Sequence, residues 1–217
     1  MIGLPFCGRP VMPEWALAMM AQAYPLNMTI EFAPLKGRKI DEAKNEITRH
    51  AIDAGAKYLW FVDDDTAPPP HAARKLIIDL ETAPDAVMVA AGIYVSRQEY
   101  PEPLVYLKNG EGAFWKWKAG EVFECCGIGG GCMMIKVEVF KHLPEPWFKT
   151  VDCYSDQDGI ENQFTDDIYF CDKVIKAGFK ILADGGVLPI HWDTASQTPY
   201  CIPEDSYPFQ GEVAVNQ

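Results

Sequence analysis

The chain has 217 residues, of which 48% are hydrophobic and 23% are charged, and its formal net charge at pH 7 is −12. This composition is that of one ordinary globular domain. The negative charge argues against nucleic acid as the main partner, because duplex binding needs a basic surface. No apolar stretch is long enough for a transmembrane segment, and residues 1–5 lack the basic start of a signal peptide. We therefore expect a cytoplasmic protein, or one of the host cytoplasm if the source is a virus.

Strands and helices alternate through the first 95 residues. Strands are predicted at residues 2–6, 28–32, 58–62 and 86–91. Between them lie a helix that begins at Pro13 and carries Leu17, Met20 and Ala23, a helix over residues 40–54 and a helix over residues 71–80. This alternation indicates a parallel sheet wound by right-handed crossovers.

The second half is less regular. Residues 104–107 and 114–117 are predicted to form a hairpin around Asn109-Gly110. A strand over residues 132–137 and a short helix follow, and then a helix over residues 167–177 and a strand over residues 179–183. The tail after Trp192 is predicted to be a loop.

Three aspartates, Asp63, Asp64 and Asp65, follow the apolar segment 58–62. Such a segment is typical of a buried parallel strand, and open α/β sheets bind ligands at the carboxyl ends of their strands. If the strand continues, Asp63 and Asp65 face the same way and can share one Mg²⁺ or Mn²⁺, which leaves positions free for substrate phosphates. The alternative is an acidic turn before the prolines at 68–70.

A second acidic pair, Asp166 and Asp167, stands at the start of a predicted helix. These residues either cap that helix and meet its dipole or supply a general base. His191 follows the apolar segment 187–190 and is either structural or an imidazole ligand for manganese.

The segment 127–131, GIGGG, precedes the predicted strand at 132–137. It is either a phosphate-binding loop or a tight turn that only glycine fits. Trp147, in a predicted loop, is the best candidate for stacking on a sugar or a base. The seven cysteines are odd in number and include no C-x-x-C pair, which argues against a disulfide framework and a structural zinc site.

In this order, the motifs resemble those of family 2-type glycosyltransferases with the GT-A fold, and the resemblance runs from Ile2 to about His191. The matching segments are the first strand with Pro5, segment 38–45 (RKIDEAKN) for the R-x-x-A-R-N-like helix, segment 61–65 (FVDDD) for F-x-D-x-D, segment 129–140 for the glycine-rich acceptor-side loop with its strand-helix unit, and segment 166–171 (DDIYFC) for E-D-x-x-F-C. Asp166 stands where the family has Glu, and Lys44 replaces the usual arginine.

The resemblance implies one GT-A domain over residues 1–217, with a Rossmann-like, mixed but mainly parallel central sheet flanked by helices. Residues 1–95 would be the nucleotide-binding half, residues 96–195 the acceptor and catalytic half, and residues 196–217 a tail. The implied reaction moves a sugar from a nucleotide-diphosphate sugar, a UDP-sugar above all, to an acceptor hydroxyl. A saccharide or lipid-linked acceptor is expected, and a modified DNA base is disfavoured by the charge.

The resemblance also implies roles for individual residues. Mn²⁺ or Mg²⁺ would be bound by Asp65 and His191 together with Asp63, which would lie nearer the ribose or the donor sugar. Asp167, beside Asp166, would be the base of an inverting displacement. The residues implied to hold the nucleotide sugar are Pro5, Arg38, Asn45, Asp63, Asp64, Gly129 and Gly130.

Two other functions fit the same pattern. A nucleotidyltransferase acting on sugar phosphates also combines such a sheet with a carboxylate-bound metal, but it would carry a glycine-rich, basic loop after the first strand, where this chain has segment 7–10, CGRP. A non-catalytic nucleotide-sugar-binding module is the other alternative. The presence of Asp63, Asp65, Asp167 and His191 argues against such a module.

Overall fold

The computed structural model describes residues 1–108, 110–155 and 161–202, which form a mixed α/β fold. The helices are α1 (Pro13–Met20), α2 (Ile40–Asp53), α3 (Ala72–Thr82) and α4 (Asp166–Lys176), with a 3-10 helix at Val137–His142. The strands are β1 (Ile2–Phe6), β2 (Phe32–Lys36), β3 (Tyr58–Val62), β4 (Thr66–Ala67), β5 (Val87–Gly92), β6 (Val105–Tyr106), β7 (Val122–Cys125), β8 (Gly127–Ile128), β9 (Cys132–Lys136), β10 (Val151–Ser155), β11 (Glu161–Phe164), β12 (Lys180–Asp184), β13 (Ile190–Asp193) and β14 (Thr198–Tyr200).

Seven strands form the central sheet in the order β2-β1-β3-β9-β5-β12-β7. Strands β2, β1, β3, β5 and β12 run in one direction, whereas β9 and β7 run in the opposite direction. The predicted fold class, a mixed and mainly parallel sheet flanked by helices, is therefore confirmed. Within the described residues, no helix combines the length and apolarity that crossing a bilayer requires.

Strand β3 lies inside the sheet, between β1 and β9, and both of its faces are buried. Leu59 and Phe61 belong to one hydrophobic cluster, which also receives apolar side chains of α2 and α4. Trp60 and its neighbours on the other face pack against α1 and α3. Because β3 is fixed from both sides, the acidic residues that follow it leave the sheet from a rigid position.

Strand β2 occupies residues 32–36 and not the predicted residues 28–32. Pro34, in the middle of β2, counts against a strand in a sequence-based prediction, because proline cannot donate to a strand ladder. Among the described residues, β2 is an edge strand whose one neighbour in the central sheet is β1, and an edge tolerates proline. Helix α1 ends at Met20, before Ala23, which was predicted to lie in it. Leu17 and Met20 are exposed, whereas Trp15 and Met19 are buried.

The predicted hairpin around residues 109–110 is wrong. Strand β6 pairs with β8, about twenty residues further along the chain, and residues 114–117 form no strand. Asn109 itself lies outside the described residues. The tail is more regular than predicted, because β13 and β14 pair with each other and β13 also pairs with β4.

Candidate active site

The three aspartates form a turn at the carboxyl end of β3. The Thr66 N–H donates to the Asp63 carbonyl at 3.1 Å, and the Asp63 N–H donates to the Gly131 carbonyl at 3.1 Å. The Trp15 indole N–H also donates to the Asp63 carbonyl, at 2.8 Å. Because the chain turns here and does not continue as a strand, the side chains of Asp63 and Asp65 approach different partners.

Lys44 joins the first aspartate to the second acidic pair. Its ammonium lies 2.8 Å from Asp166 Oδ2 and 3.7 Å from Asp63 Oδ1, and only 2% of the side chain is exposed. Burial alone lowers the pKa of Lys44, but the carboxylates of Asp166, Asp63 and Asp167 outweigh burial and raise this pKa above its usual value. Lys44 is therefore a fixed positive charge inside the site.

The two carboxylates beside Lys44 are costly to ionise. Burial raises the pKa of Asp63 to about 7, against the opposing attraction of Lys44. Burial also raises the pKa of Asp166, again opposed by Lys44. Asp63 Oδ1 accepts no hydrogen bond from the described residues, so this oxygen has capacity left for a ligand or water.

Asp167 is held by the start of α4 and by the glycine-rich segment. The Gly130 N–H donates to Asp167 Oδ2 at 2.8 Å, and the Ile168 N–H donates to Oδ1 at 2.8 Å. The Thr165 hydroxyl also donates to Oδ1. A carboxylate has about four acceptor positions, so Asp167, which is only partly buried, retains one for a substrate hydroxyl.

Gly130 sits where a side chain has no room. A β-carbon on Gly130 would lie 2.9 Å from the Asp167 Cβ and 2.9 Å from the Lys44 ammonium. A Cβ on Gly129 would lie 2.6 Å from the Tyr94 hydroxyl. The glycines thus let the backbone approach the charged residues closely, which agrees with a close-packed turn and leaves phosphate binding by this segment untested.

A second cluster forms around Asp65. His191 Nε2 lies 3.7 Å from Asp65 Oδ1, and Arg97 Nη1 lies 2.7 Å from Oδ2. Arg9 Nη2 donates to the same Oδ2 oxygen. Burial acts to raise the pKa of Asp65, but His191, Arg97 and Arg9 together lower it to about 2.

The imidazole of His191 is oriented by its surroundings. Its Nδ1 lies 2.8 Å from the Val95 carbonyl, which can only accept, so Nδ1 carries the proton and Nε2 faces Asp65. The strand pairing of β13 with β4 sets His191 opposite Thr66, and the Trp192 N–H donates to the Asp65 carbonyl at 2.7 Å. The Tyr94 ring packs against the imidazole in a T-shaped arrangement at a centroid distance of 5.0 Å.

Asp65 and His191 fit a divalent cation that has two protein ligands. One offers a carboxylate oxygen and the other a ring nitrogen whose tautomer is set by a backbone carbonyl, as is usual for metal-binding histidines. Among residues 1–108, 110–155 and 161–202, no group of three or more His, Cys, Asp or Glu side chains is arranged to hold a metal ion. The structure thus brings together two of the three predicted ligands, and it directs Asp63 towards Lys44.

The residues predicted to hold the nucleotide lie in different parts of the structure, and only some of them are in the candidate site. Asp64 is buried beneath the loop after β1, where it accepts the Cys7 N–H at 2.8 Å. Asp63, Gly129 and Gly130 lie in the site. Pro5 is instead buried in β1, and Arg38 is exposed beside Glu46, 3.6 Å away.

Asn45 is used entirely within the protein. Its amide N–H groups donate to the carbonyls of Asp41 and Phe148, both at 2.7 Å, and its oxygen accepts the Trp147 N–H at 2.9 Å. Asn45 therefore fixes a loop and has no group left for a nucleotide. Trp147 is buried and donates from its indole to the Leu143 carbonyl at 3.0 Å, so it is a core residue and not the predicted stacking surface.

Three residues of the site were not predicted from the sequence: Arg9, Arg97 and Tyr94. Tyr94 links the clusters, because its hydroxyl accepts the Gly131 N–H at 2.9 Å while its ring contacts His191. All three residues lie in loops directly after β1 or β5, at the carboxyl ends of parallel strands. That position is the signal that could have indicated them.

A cavity of about 530 Å³ lies at the other end of the sheet, where the parallel strands β1 and β3 begin. It is lined by residues at the beginnings of β1 and β3, including Ile2 and Tyr58, and by the segment 27–31. It contains none of the acidic residues described above. We assign the candidate active site to the converging charges and not to this cavity.

Comparison with solved structures finds a similar fold in the crystal structure of A197 from STIV, with 16% sequence identity, a TM-score of 0.64 and coverage of 94% of each chain. The crystal structure of GalNAc-T7 with UDP, GalNAc and Mn²⁺ matches with 12% identity and a TM-score of 0.45, over 72% of this chain and 31% of that chain. No protein-family model matches the chain, and no curated protein matches it. At this level of identity, the likeness to A197 establishes a shared fold and nothing about activity.

Proposed function

We propose that the chain is a single-domain GT-A glycosyltransferase that moves a sugar from a nucleotide-diphosphate sugar to an acceptor hydroxyl with the help of a divalent cation. The observation that carries this proposal is the convergence of three groups at the carboxyl ends of the parallel strands. These groups are the aspartates at 63–65, the pair Asp166 and Asp167, and His191. Lys44 lies 2.8 Å from Asp166 and 3.7 Å from Asp63, and His191 lies 3.7 Å from Asp65.

The balance of charges supports one divalent cation. If all five carboxylates are ionised and His191 is neutral, these groups and three cationic side chains have a formal charge of about −2, and repulsion between neighbouring carboxylates contributes to the raised pKa values of Asp63 and Asp166. One Mn²⁺ or Mg²⁺ cancels that charge. The residues counted are Asp63, Asp64, Asp65, Asp166 and Asp167 against Arg9, Lys44 and Arg97.

Asp65 and His191 would hold the ion. When bound, it supplies a Lewis acid for the negative charge of the departing nucleoside diphosphate. His191 contributes through a fixed orientation, since its Nδ1–H donates to the Val95 carbonyl. Trp192, next in β13, donates its N–H to the Asp65 carbonyl, so the two ligands are also tied together through the backbone.

Asp167 is the proposed general base. Its three hydrogen bonds fix the carboxylate and leave one acceptor position. It would take the proton of the acceptor hydroxyl while that oxygen bonds to the anomeric carbon and the bond to the nucleoside diphosphate breaks. A single displacement inverts the anomeric centre. Asp166 is less suited to this role, because it is buried and paired with Lys44.

For the substrates we propose a UDP-sugar as donor and a saccharide or lipid-linked hydroxyl as acceptor. The test uses purified protein, a saccharide or lipid-linked acceptor and a panel of UDP-, GDP-, ADP- and TDP-sugars, with Mn²⁺ or with EDTA, and measures the nucleoside diphosphate released. We expect release from at least one donor with Mn²⁺ and none with EDTA. A nucleotidyltransferase would instead release pyrophosphate from a nucleoside triphosphate and a sugar phosphate, and a binding module would release neither product.

The Asp65→Asn variant tests the ion-binding role. We expect its metal-dependent release of nucleoside diphosphate to fall by at least about 100-fold, because the ion loses its one anionic protein ligand. The matched control is Asp85→Asn, which changes an exposed aspartate outside the site and should leave the rate unchanged. Wild-type rates in Asp65→Asn would contradict the proposed function.

A further inference from the structure

Two arginines from different loops meet at one carboxylate oxygen. Arg9 follows β1 and Arg97 follows β5, and both guanidinium groups contact Asp65 Oδ2. Arg9 also donates to Asp64 Oδ1, at 3.2 Å from Nη2 and 3.4 Å from Nε. Arg97 donates in addition to the Trp192 carbonyl, at 3.2 Å from Nη1.

Both guanidiniums have unused donors and access to solvent. The side chains of Arg9 and Arg97 are 35% and 33% exposed, whereas that of Asp65 is 6% exposed. Within the described part of the chain, Nη1 of Arg9 and both Nε and Nη2 of Arg97 donate no hydrogen bond. The unused N–H groups are thus available to an external acceptor on the solvent side of the pair.

Asp65 alone does not satisfy both arginines once a cation is bound. Two guanidiniums share one oxygen of Asp65 while the other oxygen faces His191. A divalent cation between Asp65 and His191 would draw on the same carboxylate, so Asp65 would compensate the two arginines less. A diphosphate carries the opposite charge, and its oxygens match the planar donor fork of arginine.

We propose that Arg9 and Arg97 form an anion subsite that binds the diphosphate group of the donor substrate. This inference deepens the proposed function and rests on it for the identity of the ligand. The competing interpretation is that the two arginines only tie the loops after β1 and β5 to Asp65. A loop anchor of that kind would not change the affinity for a free anion.

The test is calorimetric titration with inorganic pyrophosphate at saturating Mg²⁺. We expect Arg97→Gln to weaken pyrophosphate binding by roughly 10- to 100-fold, the usual effect of losing a charge-assisted contact. Arg97→Lys keeps the positive charge but loses the planar pair of N–H donors of the guanidinium. The pyrophosphate affinity of this variant should therefore lie between those of Arg97→Gln and the wild type. Arg74→Gln, at an exposed position on α3, is the matched control and should bind like the wild type.

Salt dependence gives a second readout. Raising the ionic strength should weaken pyrophosphate binding to the wild type, and the dependence should be smaller in Arg97→Gln because one cationic contact is gone. Thermal unfolding of each variant shows whether it is folded. A merely structural arginine would change the unfolding temperature without changing the salt dependence.

Arg9 needs a compensated variant, because Asp64 is buried and its charge would be left unpaired. The comparison is therefore between Asp64→Asn and the double variant Arg9→Gln/Asp64→Asn. We expect the double variant to bind pyrophosphate roughly 10-fold or more weakly than Asp64→Asn.

Two results would overturn this inference: equal pyrophosphate affinity in the wild type and Arg97→Gln, or no pyrophosphate binding by the wild type at saturating Mg²⁺. Neither readout needs a sugar to be transferred. If the arginine variants lose pyrophosphate affinity but no nucleotide sugar is consumed by the wild type, the anion subsite stands and the proposed glycosyltransferase function fails.

Discussion

Lys44 is a buried cation between two carboxylates, and its ammonium also lies 5.9 Å from the ring centroids of both Phe61 and Phe148. Removing one member of a buried ion pair leaves an uncompensated charge, which usually costs about 3–5 kcal/mol. The sequence places this lysine where the resembling family has an arginine. The structure gives it a specific task, which is to hold Asp63 and Asp166 at one point.

We predict that Lys44→Met lowers the free energy of unfolding by about 3–5 kcal/mol at pH 7. The pKa of Asp63 in the folded protein is about 7, which is above its ordinary value. Between the ordinary pKa and 7, the folded protein therefore binds more protons at Asp63 than the unfolded chain does. The contribution of protonated Asp63 to stability is lost as pH rises through 7. The deficit of Lys44→Met should shrink at pH 5, because Asp63 is then protonated in the folded protein and no longer needs the charge of the lysine. Urea unfolding at both pH values measures this effect, with Lys44→Arg as the control that keeps the charge. Equal stability of Lys44→Met and Lys44→Arg at pH 7 would refute the role.

We predict that Asp167→Asn retains donor binding and loses sugar transfer by roughly 10²- to 10⁴-fold, the usual contribution of a general base. Asparagine preserves an acceptor for the Thr165 and Ile168 donors but cannot take a proton. Asp172→Asn is the control, because Asp172 lies on the same helix and pairs with Lys176. Donor affinity from calorimetry separates binding from chemistry, and a collapse of that affinity in Asp167→Asn would assign Asp167 to the donor-binding site.

At the scale of elements, the glycine-rich segment lets β9 start beside α4. We predict that Gly130→Ala destabilises the protein by about 1–3 kcal/mol, as overpacking does, because its Cβ would lie 2.9 Å from both the Lys44 ammonium and the Asp167 Cβ. Gly112→Ala is the control, since a Cβ there meets nothing within 4 Å. Chemical unfolding compares the two variants, and similar losses in both would contradict the packing argument.

A separate charged contact links α3 to β12. Lys75 bridges Asp79 at 2.9 Å and the fully buried Asp184 at 2.7 Å. Burial and the neighbouring Asp184 raise the pKa of Asp79 to about 7, against the opposing effect of Lys75. Asp79 therefore adds stability below about pH 4 that is lost as pH rises through 7.

Asp79→Asn mimics the protonated form and should remove this dependence. We predict that the variant gains about 1 kcal/mol over the wild type between pH 4 and pH 7, after allowance for solvent screening. Unfolding free energies at several pH values measure the difference, with exposed Asp85→Asn as the control. A constant difference between Asp79→Asn and the wild type across this range would contradict the assignment.

Elements whose apolar pattern reflects burial directly could be predicted: β3 is buried throughout, and α2 buries one face. Strand β3 and helix α2 follow the predicted segments closely. The predicted position of β2 was wrong because Pro34 is acceptable only in an edge strand, and the sequence does not show which strand lies at the edge. The hairpin prediction was wrong because Val105 pairs with Ile128. Pairing between residues this far apart leaves no pattern in the nearby sequence.

At the scale of the whole molecule, the acidic residues of the site were visible because each group follows or begins a predicted element. The side chains that pair with these acidic residues could not be predicted from the sequence. Arg9 and Arg97 are separated by more than eighty residues and meet only because the strands preceding them end at the same edge of the sheet. Asn45 was misassigned because a buried polar side chain that fixes a loop and one that binds a nucleotide have the same sequence pattern.

The most direct measurement for the central claim is an anomalous difference map from crystals grown with Mn²⁺ and a nucleoside diphosphate, recorded at the manganese absorption edge. We expect one strong peak within bonding distance of both Asp65 Oδ1 and His191 Nε2, with the diphosphate against the same ion. A peak at another location, or no peak between these two side chains at saturating Mn²⁺, would contradict it.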